Sequence, residues 1–260
     1  MPVMRRTLAI LNQKGGVGKT TVTLGLASAA AAAGRKVLVV DLDPQASSTW
    51  VLGVEPASVT ASVADLLKSG GPKLADVVVP SPWGGVLPGE IDVVPSVPGL
   101  QDHETGTSKR LRKQLDGVAD QYAAILIDCP PSLGNLTRSA LTAARYALVV
   151  VEPSALGLRG IGGVADLIDD VWDTTNPDLE LAGVILNRVP AVSAEAERRI
   201  DELARIVGRK AIWQPSVPQR VILNQAVGER RPVHSYGSRA TDPIATFDAL
   251  WRKARGTVGG

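Results

Sequence analysis

The sequence predicts an α/β fold, a doubly wound, mostly parallel sheet with helices on both faces. Six short runs rich in apolar and β-branched residues, at 8–11, 37–40, 91–94, 125–127, 147–151 and 181–186, read as strands buried on both faces. Between most of them lie helical segments, and strand alternating with helix implies right-handed crossovers on one layered sheet. The chain also has the bulk for it: 260 residues, 45% hydrophobic, can bury a large core as a single domain over 1–260 without disulfides or a metal.

Taken in order, the first strand (8–11) runs into a glycine-rich turn, and a helix follows over 20–33, closed by Gly34. The second strand (37–40) ends on acidic residues. Residues 70–99 are rich in Gly and Pro and read as an irregular excursion with one short strand. Helices are expected over 108–119, 135–144, 161–172 and 194–207, the last stopped by Gly208. After Arg209 come a strand-like stretch to Trp213, a turn bounded by Pro215 and Pro218, a short helix, and a last helix over about 242–255.

Composition removes several classes. With 21% charged residues and no low-complexity tract, a disordered or fibrous chain is excluded. The longest apolar stretches, such as 146–151, fall far short of the roughly 18 to 20 residues that a spanning helix needs. Arg5 and Arg6 make a short basic start without an apolar core or cleavage site, so no secretory signal is expected and the cytoplasm is the expected location. A single cysteine, Cys129, excludes an internal disulfide framework, a CxxC redox pair and a cysteine-held iron–sulfur cluster within one subunit. The net charge of +2 hides an asymmetry, −4 over 1–187 and +6 over 188–260. That leaves two readings open, a face that favours a polyanion and an ordinary solvated basic surface.

The strongest local signal is Lys14-Gly15-Gly16-Val17-Gly18-Lys19-Thr20-Thr21, directly after the first strand and opening the first helix. Glycines there let the backbone turn tightly and aim successive N–H groups inward, where the helix start adds partial positive charge. Lys19 is placed to reach β- and γ-phosphates, and the Thr20 hydroxyl to ligate Mg²⁺. Lys14 is unusual, because a lysine at the start of such a loop cannot easily fold back onto phosphates held by the same loop. It can reach across to another subunit, where a cation at the transferring phosphoryl group acts as an arginine finger does. Two acidic segments complete the pattern. Asp41-Leu42-Asp43-Pro44-Gln45 puts two carboxylates at the C-terminal end of the second strand, where open α/β sheets bind ligands. Ile125-Leu126-Ile127-Asp128-Cys129-Pro130-Pro131-Ser132 puts an acid at the tip of an apolar strand, placed to hold Mg²⁺ through water or to bond Thr20.

These residues carry a resemblance. KGGVGKTT is similar to the deviant Walker A motif of the ParA/MinD family of dimerising ATPases, DLDPQ to its DxDPQ switch segment, and ILIDCPPS to its IIDCPPS segment. The resemblance extends from Leu8 to about Arg255. It implies a P-loop NTPase fold, ATP and Mg²⁺ as ligands, and a face-to-face homodimer with ATP sandwiched between subunits and Lys14 contacting the partner's nucleotide. By the same match Asp43 orients the attacking water and neighbours the metal, Asp41 supports the Mg²⁺ shell, and Cys129 is a small buried filler. Asn187 matches the adenine-reading asparagine, with Pro218 on the other side of the base. Guanine is disfavoured on the residues themselves, since Asn187-Arg188 is followed by Val189-Pro190 with no NKxD aspartate.

Within the family, DPQ and CPPS resemble ParA/Soj partition ATPases, whose ATP dimer binds duplex DNA without sequence preference and is released by a ParB-like activator. The expected location is then cytoplasmic and nucleoid-associated. A PRNVRLSEA-type segment carries arginines near the DNA face of Soj-like proteins. Here Gln219 and Ile222 occupy those arginine positions, so the expected basic surface falls to Arg220, Arg230 and Arg231. No N-terminal helix–turn–helix extension is expected, which argues against operator binding. The alternative is a MinD-like or orphan positioning ATPase acting on a membrane or a protein cargo. Ile244, Phe247, Leu250 and Trp251 do share one face of the last helix, a stripe that serves equally for lying on a membrane or for docking on the sheet.

Overall fold

The computed structural model describes residues 6–103 and 108–259, so Arg5 of the basic start lies outside it. Eight strands among the described residues, β1 (Thr7–Leu11), β2 (Val37–Asp41), β3 (Val79–Pro80), β4 (Ile91–Val94), β5 (Ala124–Asp128), β6 (Tyr146–Val151), β7 (Glu180–Leu186) and β8 (Ile212–Trp213), form one sheet in the order β3-β4-β2-β5-β1-β6-β7-β8. Every neighbouring pair is parallel except β3 with β4. The helices are α1 (Lys19–Ala32), α2 (Ser47–Val51), α3 (Val63–Leu67), α4 (Ser108–Asp116), α5 (Asn135–Ala143), α6 (Ala155–Arg159), α7 (Ile161–Thr174), α8 (Ala194–Val207), α9 (Val221–Gly228) and α10 (Thr241–Gly259).

Alternation along the strands divides the core between two layers. Leu8 and Ile10 of β1 belong to a cluster with α1, α9 and α10, whereas Ala9 and Leu11 pack on the opposite side with α3, α4, α5, α7 and α8. Strands covered on both faces bury every residue, as β1, β2, β4 and β5 do. The apolar stripe of the last helix is spent on this core. Phe247, Leu250 and Ala254 are fully buried, and Trp251 and Val258 nearly so. Phe247 comes so close to α1 that a Cβ on Gly25 would stand 2.1 Å from its ring.

The structure adds elements that the sequence does not show. Helices α2, α3 and α6 have five residues each, too few to display a 3.6-residue period. Strand β3 is a two-residue antiparallel edge within the 70–99 excursion, ending on Pro80, which an edge strand tolerates. Helix α4 stops at Asp116, just before Gly117, rather than at 119, and α10 continues past 255 because Val258 still packs inward.

What positions the site is strand order. β2, β5 and β1 lie side by side and parallel, with Asp41 opposite Asp128 and Asp128 opposite Ile10. The segments that leave their C-terminal ends therefore meet at one edge of the sheet. β6 and β7 on the other side of β1 deliver Glu152 and Asn187 to that edge.

Candidate active site

The glycine-rich loop is shaped before any ligand is considered. Asn12, buried just past β1, donates from Nδ2 to the Val150 carbonyl (2.6 Å) and accepts from the Lys14 N–H at Oδ1 (2.9 Å), which ties the start of the loop to β6. Gly16 and Gly18 turn the chain at φ +79° and +90°. Gly18 is the N-cap of α1 with no side-chain cap, so the first N–H groups of α1 have no side-chain partner at the cap. Asn187 packs directly on Gly18, where a Cβ would lie 2.0 Å from Nδ2, and that amide donates to the Val17 carbonyl (2.7 Å). Gly15 and Thr21 flank the turn, Gly15 near Pro131 and Thr21 on the rim of a cleft.

Lys19 is buried, with Nζ 3.4 Å from the Lys14 carbonyl. Burial lowers its pKa, while the charges of Asp128 and Asp43 pull it back up. Thr20 Oγ1 donates to Asp128 Oδ2 (2.7 Å), and Ser48 Oγ donates to the same oxygen (2.7 Å). A hydroxyl and a carboxylate in contact fit Mg²⁺, which takes one or two protein oxygens and fills its remaining positions with phosphate and water. Burial raises the pKa of Asp128, and hydrogen bonds from Ser48 and Thr20 with the charge of Lys19 oppose the rise. Asp41 is pushed up by burial first and by the neighbouring Asp128 charge second. Its oxygens accept from the Asp43 N–H, the Thr49 N–H and the Thr49 hydroxyl, and none of its bonds is to Thr20 or Lys19. Asp43 is half-buried, and its Oδ1 accepts from the Gln45 N–H (2.9 Å). Cys129 is fully buried and burial raises its thiol pKa, an inert small residue in the core.

Beside the loop opens a cleft of about 230 Å³ lined by Thr21, Glu152, Asn187, Arg188, Pro218 and Arg220 among others. Val217 N–H donates to the Leu186 carbonyl and Gln219 N–H to the Val189 carbonyl, so Pro218 is held across from Asn187. Asn187 Oδ1 is buried without a partner. A buried acceptor left open in a cleft suits a donor from a ligand, as an adenine amino group is. Lys14 stands at the rim, its Nζ 3.5 Å from both Glu152 Oε2 and Ser154 Oγ.

The three arginines of the expected basic surface flank α9 at its two ends. Arg220 caps the start of α9 and pairs with Asp242 (3.1 Å), while Arg230 and Arg231 follow its end, about 12 Å away along eight residues of helix. Arg230 adopts φ +55°, its guanidinium lies 4.9 Å from the Trp50 ring centre, Nε donates to the Trp50 carbonyl (2.7 Å), and it pairs with Glu55. Arg231 stacks on Tyr236 (5.1 Å). Sequence reasoning missed Asn12, Ser48, Thr49 and Glu152, which brace or line the site. The adjacent hydroxyls Ser48-Thr49, so soon after the acids of β2, were the available signal.

A model of the AAA domain family matches residues 5–181. The sporulation initiation inhibitor protein Soj of Bacillus subtilis is 34% identical over 248 residues, 91% of this chain and 93% of Soj. The chromosome partitioning protein ParA of Myxococcus xanthus is 33% identical over 237 residues, 89% of this chain and 81% of that protein. Among solved structures, cobyrinic acid a,c-diamide synthase of Mycobacterium smegmatis with bound ATP analogue and magnesium superposes with a TM-score of 0.77 at 30% identity, covering 95% of this chain and 94% of the synthase. A phosphate-loop site at the edge of a parallel sheet, carried by a sequence one-third identical to Soj and ParA over nearly its whole length, places the chain in the ParA/MinD family of P-loop ATPases.

Proposed function

We propose that the chain is a ParA/Soj-type ATPase that binds ATP with Mg²⁺, dimerises on it, binds duplex DNA without sequence preference and drives partition of a plasmid or chromosome with a ParB-like activator. It then works in the cytoplasm on the nucleoid. The observation that carries this reading is the split between the two lysines: Lys19 is buried beside Asp128, whereas Lys14 stands on the rim, its side chain tethered only by 3.5 Å contacts to Glu152 and Ser154. A rim lysine held only by a long, half-buried ion pair can leave it and reach a second subunit's phosphates.

The geometry supports the following roles for the chain's own groups. Loop N–H groups and Lys19 hold the phosphates, Thr20 and Asp128 hold the metal, and Asn187 and Pro218 hold the base. Magnesium, when bound, neutralises charge on the β- and γ-phosphates. Asp43 orients the water at its open carboxylate oxygen. The MinD-like alternative asks the apolar stripe of α10 to enter a membrane, but Phe247, Leu250 and Ala254 are already buried against the sheet and α1. No helix among the described residues is long and apolar enough to cross a membrane.

A mobility shift on duplex DNA with ATP or ADP, run beside flotation with anionic liposomes, tests the reading. ATP-dependent binding to any sequence is expected, because dimerisation doubles the phosphate contacts presented to one duplex. Arg220→Ala should weaken all sequences alike and reduce the salt slope by roughly one contact per arginine per subunit. Flotation in ATP without DNA binding, in a sample shown to be dimeric, would establish the membrane alternative instead.

A further inference from the structure

Asp43 is fixed by more than its own turn. Its N–H donates to Asp41 Oδ1 (3.1 Å), and its carbonyl accepts from the Ser96 hydroxyl (2.7 Å) and from the Ala46 N–H (2.8 Å). Ser96 lies just past the end of β4, and its own N–H donates to Thr49 Oγ1 (2.8 Å). Thr49 Oγ1 in turn donates to Asp41 Oδ2 (2.7 Å). The directions are forced, because the Ser96 N–H can only donate to Thr49 Oγ1 and the Asp43 carbonyl can only accept from the Ser96 hydroxyl. Asp41, Thr49, Ser96 and Asp43 thus close a hydrogen-bonded ring whose first three members are fully buried.

We propose that Ser96, acting with Thr49, is a positioning residue for ATP hydrolysis. The ring fixes the peptide of Asp43 from both sides, and Gln45 N–H holds Oδ1, so Oδ2 is the oxygen left to aim at water. Ser96 and Thr49 make none of their bonds to Lys19, Thr20 or Asn187, so the ring reaches the nucleotide site through the Asp43 segment. Asp41 anchors the ring through both of its carboxylate oxygens. The proposal rests on Asp43 as the group that orients the water, and it names what keeps that group in place.

The test compares Ser96→Ala, Thr49→Val and Thr49→Ser with the parent and with Asp43→Ala. Ser96→Ala keeps the Ala46 donor on the Asp43 carbonyl, so the segment stays folded. Ser96→Ala and Thr49→Val should lose about tenfold or more in turnover while ATP affinity stays within about twofold, since small misplacements cost catalysis more than binding. Thr49→Ser, which keeps the hydroxyl, should restore turnover. In nucleotide-free protein the Gln45 and Ala46 amides should exchange hydrogen faster in Ser96→Ala, a readout independent of activity. In the Asp43→Ala background, Ser96→Ala should cost nothing further. A Ser96→Ala protein with parental turnover, or one that loses as much turnover without Asp43 as with it, overturns the positioning role. Parental turnover in Asp43→Ala overturns the water-orienting assignment beneath it, and that result is read without reference to Ser96.

Discussion

His234 sits where α1 and α10 meet the turn that follows α9. Its Nδ1 is 2.7 Å from Ser28 Oγ and its Nε2 is 3.2 Å from Asp248 Oδ1. A neutral ring with its proton on Nε2 makes both bonds, accepting from Ser28 and donating to Asp248. Burial pulls the pKa of His234 below the usual histidine value, and Asp248 only partly offsets this. The unfolded chain therefore binds the extra proton more readily, so stability from this site is present above about pH 6.5 and falls as pH drops below it. Melting temperatures of the parent and His234→Gln between pH 7.5 and 5.5 check this. The parent should fall more steeply, and taking the difference removes the contribution of Asp41 and Asp128, which the two proteins share. Equal slopes would show that the imidazole does not titrate with folding. At this scale Lys19, Thr20, Asp43 and Asp128 were legible because fixed spacing in a strand–loop–helix context defines them. Ser48, Thr49 and Ser96 were not, since a hydroxyl acquires a role only from the partner opposite it.

The contact between α1 and α10 turns on Gly25, a helix-interior glycine that the sequence marks only as a weak helix former. Replacing it with alanine should add about 1 kcal/mol from helix propensity. A Cβ there meets the Phe247 ring at 2.1 Å, and overpacking a close-packed core costs about 1 to 3 kcal/mol. Gly25→Ala is thus expected to destabilise the parent yet to be neutral or stabilising in a Phe247→Ala background, where the ring is gone. Phe247→Ala alone should cost about 3 to 5 kcal/mol. Denaturant midpoints of the four proteins decide it, and a Gly25→Ala penalty of the same size in both backgrounds would show that the ring is not the obstacle. Helix α8 could be read from its length and its Gly208 stop, and β1, β2, β4, β5, β6 and β7 from their continuous apolar runs. Helix α2 could not, although it carries Ser48 and Thr49, because five residues hold little more than one turn.

For the whole molecule, the expected ATP dimer separates the two lysines of the loop. Lys19→Ala should abolish nucleotide binding. Lys14→Ala should bind ATP but stay monomeric by light scattering, and lose activator-stimulated hydrolysis at least about a hundredfold, the scale of one removed transition-state cation or donor. A Lys14→Ala protein that still dimerises on ATP and turns over at the parental rate would end the trans-acting role. Nucleotide chemistry and the α/β architecture, one sheet with helices on both faces, were both determined by the sequence alone, because motif spacing, apolar runs and hydrophobic period are local properties that the chain carries in any state. Tertiary structure decided three things. It spent the stripe of α10 on the core, committed Arg230 to Trp50 and Glu55, and brought Ser96 to Asp43 across 53 residues. Each of these pairs residues far apart in the chain, and strand order, which no local pattern encodes, sets which of them become neighbours.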